Sequence, residues 1–220
     1  MAKAFAVNFS DDPSVVIFAS GVSNSREIRN EQFLREQEML RHTLNQNNHL
    51  VYLSSSSVLD TQLENSPYVR HKLEMERLVS ESDCCASVFR LPQVVGHSNN
   101  PYTLTNFLYQ KVFSGTSFQL WGNAKRNLID VCDAVEIMTH LIRSRSMPDS
   151  ITHIAMPWSI SVIELVKIFE TLLGKRADYK VLEMGGEYEI EAGLAMCAAR
   201  EIGIVFDEQY VVNLIRKYYA

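Results

Sequence analysis

The sequence predicts an α/β fold: a parallel sheet flanked by helices, with a small, mostly helical C-terminal lobe. Three observations predict it. Runs that are apolar at every position, VVIFA at residues 15–19 above all, suit strands covered on both faces. Helical periodicity separates these runs, so residues 2–91 alternate α-β-α-β-α-β, which calls for parallel strands and right-handed crossovers. The first two strands end in serine-rich loops, SGVSNS and SSSS, and in open α/β sheets ligands gather at the carboxyl ends of strands.

Residues 2–9, AKAFAVNF, read as a short apolar helix that Ser10-Asp11-Asp12-Pro13 breaks before the first strand. Between residues 31 and 44 the apolar positions Phe33, Leu34, Met39, Leu40 and Leu44 fall at helical spacing, and Asn45-Gln46-Asn47-Asn48 stops the helix. Residues 50–53 form the second strand, residues 68–79 the next helix and residues 86–91 the third strand. The texture then changes. A helix is expected over 102–113, short strands over 118–121 and 127–131, and a helix over 134–143 capped by Asp133. Residues 151–155 read as the last sheet strand, and 161–173 as an amphipathic helix stopped by Gly174. Two helices, near 189–202 and 208–218, complete the chain. The lobes interleave: 1–97 plus 125–157 form the sheet domain, and 98–124 plus 158–220 form the small lobe.

At 220 residues the chain can bury one large core or one core plus a small lobe. A net charge of −5 and a pI near 5.7 leave no basic footprint for nucleic acid. No apolar run reaches the roughly 20 residues that span a bilayer, and the polar turn after MAKAFAVNF does not fit a signal peptide, so the expected setting is the cytoplasm. Cys84, Cys85, Cys132 and Cys197 match no zinc spacing and read as reduced core thiols; the scattered histidines suggest no metal.

Chemistry concentrates in residues 50–79, LVYLSSSSVLDTQLENSPYVRHKLEMERLV. Tyr68 and Lys72 form Y-x-x-x-K on one helix face, one turn apart. A nearby ammonium favours phenolate over phenol, and a hydroxyl that gives and takes a proton suits carbonyl/alcohol interconversion. Ser55, at the end of the preceding strand, is placed to hydrogen-bond the same substrate oxygen. Alone, Y-x-x-x-K describes equally well an exposed tyrosine and a solvated lysine.

Strand, serine cluster, short loop and Y-x-x-x-K helix together resemble the active-site segment of the short-chain dehydrogenase/reductase superfamily. The closer similarity is to its extended branch, the NAD-dependent epimerase/dehydratase family. VVIFASGVSNS resembles the strand and loop beneath the nicotinamide, RLPQVVG the R-x-P-x-x-x-G segment, and WGNAKRNLIDVCDAVEIM the G-x-x-x-R-(D/N)-x-I-x-V-x-D segment. ITHIAMPWSISVIELVKIFETLLGK is similar to the last strand and a substrate-lobe helix. The resemblance implies a truncated Rossmann-like sheet and a reductase or epimerase of a nucleotide-linked sugar using NAD or NADP. It makes Tyr68 the general acid/base, with Lys72 holding the nicotinamide ribose and lowering the tyrosine pKa, and Ser55 orienting the substrate. Ala19, Ser20, Gly21, Ser54, Pro92 and Val95 become further cofactor contacts. Ser56, Asn24 and Arg126 become substrate contacts, Arg126 through phosphate, although a surface role beside Lys125 fits Arg126 as well. It further implies a homodimer paired through the helices at 33–44 and 68–79, with burial of those helices within one subunit as the alternative.

The chain departs from the family pattern in two ways. It contains no glycine-rich dinucleotide turn, nor the strands that carry the selector for the adenosine ribose. Three explanations stand open: a strand and glycine turn encoded before Met1, a shortened variant with a degraded cofactor site, or a second chain that completes it. The alternative function is therefore a non-catalytic nucleotide-sugar-binding or interaction module. The second departure is milder: only twelve residues separate Ser55 from Tyr68, and Leu59 stands where the family often has Tyr.

Overall fold

The computed structural model describes residues 1–46, 48–144 and 151–220, so Asn47 of the expected helix stop lies outside the described residues. After helix α1 (Ala2–Phe9), the main sheet takes β1 (Val15–Phe18), β2 (His49–Ser55), β3 (Ala86–Leu91) and a late strand (Ile151–His153) in that spatial order, all parallel. Helix α2 (Asn30–Leu44) connects β1 to β2, and α3 (Pro67–Ser80) connects β2 to β3.

Strand β2 shows why these segments are so apolar. Successive side chains point to opposite faces, and both faces are covered. Leu50 and Tyr52 pack with Phe18, Leu40, Met75 and Val79 under α2 and α3. Val51 instead joins Phe5, Phe9, Phe89, Ile137 and Met138 on the opposite face.

Pro92 divides one apolar run between two sheets. Lacking an N–H, it cannot extend the ladder of β3. The chain beyond it forms β4 (Gln93–Val95), which pairs in parallel with a later strand, Gln93 opposite Leu128 and Val95 opposite Asp130. Neither this switch nor the pairing was foreseen from the sequence. Helix α4 (Leu104–Ser114), β5 (Phe118–Trp121), β6 (Lys125–Arg126) and β7 (Leu128–Asp130) follow, then α5 (Val131–Ser144) and the late main-sheet strand β8 (Ile151–His153).

Helix α5 starts earlier than expected, which corrects the assignment of Asp133 as its cap. Asp130 stands directly before the helix and accepts the Cys132 N–H at 2.8 Å. Asp133 lies inside the first turn and accepts the Tyr210 hydroxyl at 2.6 Å. Beyond β8 come β9 (Ile160–Ser161), α6 (Val162–Leu173), β10 (Tyr179–Leu182), α7 (Gly193–Glu201) and α8 (Tyr210–Tyr219). Ser161 and Glu164 close a reciprocal capping box at the start of α6, and Gly174 ends it at φ +60°, as its position predicted.

The second core gathers Leu108, Val112, Leu120, Leu128, Leu165, Phe169 and Ile215 from α4, β5, β7, α6 and α8. Helix α7 packs its Ala195, Ala198 and Ala199 into the main-sheet core. Its small residues let it lie close against α5. The four cysteines are free, but they are not core residues. Cys85, Cys132 and Cys197 are exposed and Cys84 is half-buried, because each lies on a turn or on the outer side of a helix. Among the described residues, no helix is long and apolar enough to cross a membrane.

Candidate active site

The parallel register brings the predicted residues to one edge. Phe18 lies opposite Tyr52 and Ser55 opposite Leu91, so the loops that follow, with Ser20, Ser56 and Pro92, leave the sheet on the same side. Helix α3 then begins at a defined point. Ser66 caps it by accepting the Val69 N–H at 3.2 Å, and Pro67 occupies the first turn, where its missing N–H costs nothing. This start places Tyr68 in the first turn and Lys72 one turn deeper, on the face that packs against β2.

Tyr68 and Lys72 are both buried, 6% and 2% exposed, which removes the reading of a surface tyrosine and a solvated lysine. The Ser55 hydroxyl faces Tyr68 closely enough to lower its pKa, and it lies 2.7 Å from Ser57 Oγ. The Lys72 ammonium lies 6.0 Å from the centre of the Tyr68 ring. The three expected catalytic residues are thus together.

Their electrostatics run opposite to expectation in one respect. Burial pushes the Tyr68 phenol up to about 12; the Ser55 hydroxyl pulls it down, and the charge of Glu36 pushes it further up. Lys72 does not lower it here because its ammonium is turned to another partner. Nζ donates to Glu36 Oε1 at 2.9 Å and to the Tyr52 hydroxyl at 3.1 Å. Burial holds the Lys72 pKa below its ordinary value, while the Glu36 charge opposes that shift.

Glu36 is the residue that sequence reasoning missed. It is fully buried, and its carboxylate accepts four hydrogen bonds. Oε1 takes Lys72 and the Tyr52 hydroxyl at 2.8 Å; Oε2 takes the Val22 N–H at 2.6 Å and His71 Nε2 at 2.9 Å. Burial alone would raise its pKa, but His71, Lys72 and Val22 outweigh burial and hold it at about 2. A signal was present: Glu36 falls four residues before Leu40 and three after Phe33, on the inward face of α2. An acid on that face requires a buried partner.

Other predicted contacts divide. Gly21 sits directly on the ion pair: a Cβ there would lie 2.7 Å from Glu36 Oε1 and 2.9 Å from Lys72 Nζ. Gly21→Ala is therefore expected to displace the pair and lower the melting temperature by about 4–8 °C, the scale of a 2 kcal/mol overpacking cost. Scanning fluorimetry would test this, and an unchanged melting temperature would show that the contact is soft. Ala19 is half-buried, and Ser20 lends its carbonyl to Arg35 at 3.3 Å.

Ser54 is committed to the core, donating to Glu76 Oε1 at 2.5 Å while Arg90 grips the same carboxylate through Nε and Nη2 at 2.9 and 2.6 Å. Ser56 is fully buried, and its hydroxyl has no partner among the described residues. Asn24 closes its own turn by accepting the Arg26 N–H at 3.1 Å. Pro92 is half-buried beside the site, and the Val95 side chain belongs to the second core.

Arg126 is not hydrogen-bonded to the Ser55–Tyr68–Lys72 group. Its Nη1 donates to the carbonyls of Lys125 at 2.7 Å and Gly186 at 3.2 Å, which leaves Nε and Nη2 for an anion. The segment that holds it also reaches the loop after Ser55. A Cβ on Gly186 would touch Gln62, and Tyr188 responds electrostatically to both Arg126 and Asp60. Trp121, the last residue of β5, is 40% exposed.

A family model described as the NAD dependent epimerase/dehydratase family matches residues 8–155. No curated protein sequence matches the chain. Among solved structures it is similar to the UDP-glucose 4-epimerase of Thermus thermophilus in complex with NAD, with a TM-score of 0.73 at 13% identity, covering 99% of this chain and 80% of that one. It is similar also to DesIV, a dTDP-glucose 4,6-dehydratase from Streptomyces venezuelae with NAD bound, with a TM-score of 0.72 at 17% identity, covering 92% and 72%. RMD from Pseudomonas aeruginosa complexed with NADPH gives a TM-score of 0.67 at 13% identity, covering 94% and 82%. At these identities the likeness establishes a Rossmann-like fold.

Proposed function

Because the chain belongs to the NAD-dependent epimerase/dehydratase family, we propose that it is an NAD(P)-dependent reductase or epimerase of a nucleotide-linked sugar. The observation that carries this reading is the buried convergence of Ser55, Tyr68 and Lys72 at the carboxyl edge of a parallel sheet. Similar structures hold NAD together with UDP-glucose, or with UDP-glucuronic acid, and support this class of substrate.

The residues present fit the ribose end of a dinucleotide. An ammonium has three donors, and Lys72 spends two on Glu36 and Tyr52, so one remains for a ribose hydroxyl. The bound nicotinamide supplies or accepts the hydride. Tyr68 supplies the proton: a phenol held near 12 is protonated at neutral pH and can donate to a carbonyl oxygen as hydride reaches the carbon. Ser55 hydrogen-bonds the same oxygen, and the free edge of Arg126 takes the sugar-nucleotide phosphates. Exposed Leu34, Met39 and Leu73 on α2 and α3 would support the homodimer through these helices.

The second reading is a nucleotide-sugar-binding module without catalysis, since similar structures hold UDP-glucose or UDP-glucuronic acid. One titration separates the two. With NAD(H) or NADP(H) at about 100 times Kd, binding should stabilise the protein by about 2.7 kcal/mol and raise its melting temperature by about 5–10 °C. A rise with nucleotide sugars such as UDP-glucose, and none with any dinucleotide, would establish the second reading.

A further inference from the structure

We propose that Glu36 is a positioning residue of the dinucleotide site, one carboxylate that fixes both the loop after β1 and the ammonium that meets the ribose. The proposal rests on the function just argued and goes beyond it, since Glu36 lies outside the Ser55–Tyr68–Lys72 set.

Three features carry it. Both oxygens of Glu36 are saturated, each accepting two donors, so the carboxylate has no capacity left for a ligand. It acts through what it holds. Next, those donors come from separate elements: Val22 from the loop after β1, Tyr52 from β2, and His71 and Lys72 from α3. No other carboxylate among the described residues receives four donors from three elements at this edge. Finally, Tyr52 both donates to Glu36 and accepts from Lys72, closing a triangle of 2.8, 2.9 and 3.1 Å that fixes the direction of the third ammonium proton. A lysine tethered in this way loses less rotamer freedom on meeting a ribose than a free one does.

The carboxylate also sets the charge of Lys72. The groups facing that ammonium are Glu36 from α2, Tyr52 from β2 and Tyr68 and Glu76 from α3, with His71 beyond Glu36; the loop after β1 contributes only backbone. Burial disfavours the ammonium and Glu36 favours it. Without Glu36, Lys72 would lose its proton at a lower pH.

The test is the pH dependence of dinucleotide affinity, measured by isothermal titration with NAD and NADP on wild type, Glu36→Gln and Glu36→Asp. Glu36→Gln is expected to weaken binding by about tenfold or more near neutral pH. It should also move the alkaline loss of affinity down by about one pH unit or more. Glu36→Asp keeps the charge on a shorter arm and should fall between the two in both measurements. A purely structural role would weaken binding equally at every pH, so a parallel offset with no movement of the alkaline limb overturns the proposal, as does wild-type affinity in a folded Glu36→Gln. If Glu36→Gln does not fold, wild-type values for Glu36→Asp in both measurements overturn it instead. Failure of the wild type to bind any dinucleotide would sink the proposed function, and this inference with it.

Discussion

Tyr68→Phe is expected to lower turnover by about 10²–10⁴-fold while leaving the fold and dinucleotide affinity close to wild type. The hydroxyl is the only atom lost. The ring stays buried beside Val22 and Val69, so packing is preserved. The Lys72 ammonium keeps Glu36 and Tyr52 whether or not the phenol is present. The effect should therefore fall on kcat rather than on KM. The measurement is the initial rate with a nucleotide-linked keto-sugar and NADH or NADPH, beside a thermal melt of the same preparation. Retention of more than about a hundredth of the wild-type rate would remove Tyr68 from the proton-transfer role, given the smallest loss expected of such a group.

The second large effect falls on stability. Glu36→Ala leaves a buried ammonium, a buried phenol, an imidazole and a backbone N–H without their acceptor. Breaking a buried ion pair on one side costs about 3–5 kcal/mol. For a chain of this size that is a fall of about 10 °C in Tm.

The same carboxylate predicts an acid limit. Its folded pKa is about 2, against an ordinary 4.5, so the folded state holds it ionised where the unfolded chain would take up a proton. Its stabilisation is complete above the unfolded value and is lost as pH falls from about 4.5 towards 2. Urea melts across that window should show the wild-type advantage over Glu36→Ala shrinking as the pH drops. A gap constant from pH 6 to pH 3 would mean that the charge of Glu36 contributes little.

These outcomes turn on residues of unequal legibility. Tyr68, Lys72 and Ser55 could be read because their chemistry is local: a strand, a serine run and a helix start only twelve residues on. The stop at Gly174 was equally local, since it concerns backbone within one turn. Glu36 escaped because its partners stand 14, 16, 35 and 36 residues away, at Val22, Tyr52, His71 and Lys72. The lowered tyrosine pKa was expected for a related reason. Y-x-x-x-K implies an ammonium near the phenol, but not a third group that holds the ammonium.

The strand at Gln93–Val95 shows the same division. Pro92 announces a break in hydrogen bonding, yet its position alone does not name β7 as the next partner. Sequence periodicity determined the parallel α/β architecture of this protein, the helix that carries Tyr68 and Lys72, and the edge at which its site forms. Only the tertiary structure decided where the charge of Lys72 is directed and which serine hydroxyls are taken by the core. The physical reason is that periodicity and capping act through neighbours within a few residues. Buried charges are satisfied by whichever groups the packed elements bring within about 3 Å, however distant in the chain.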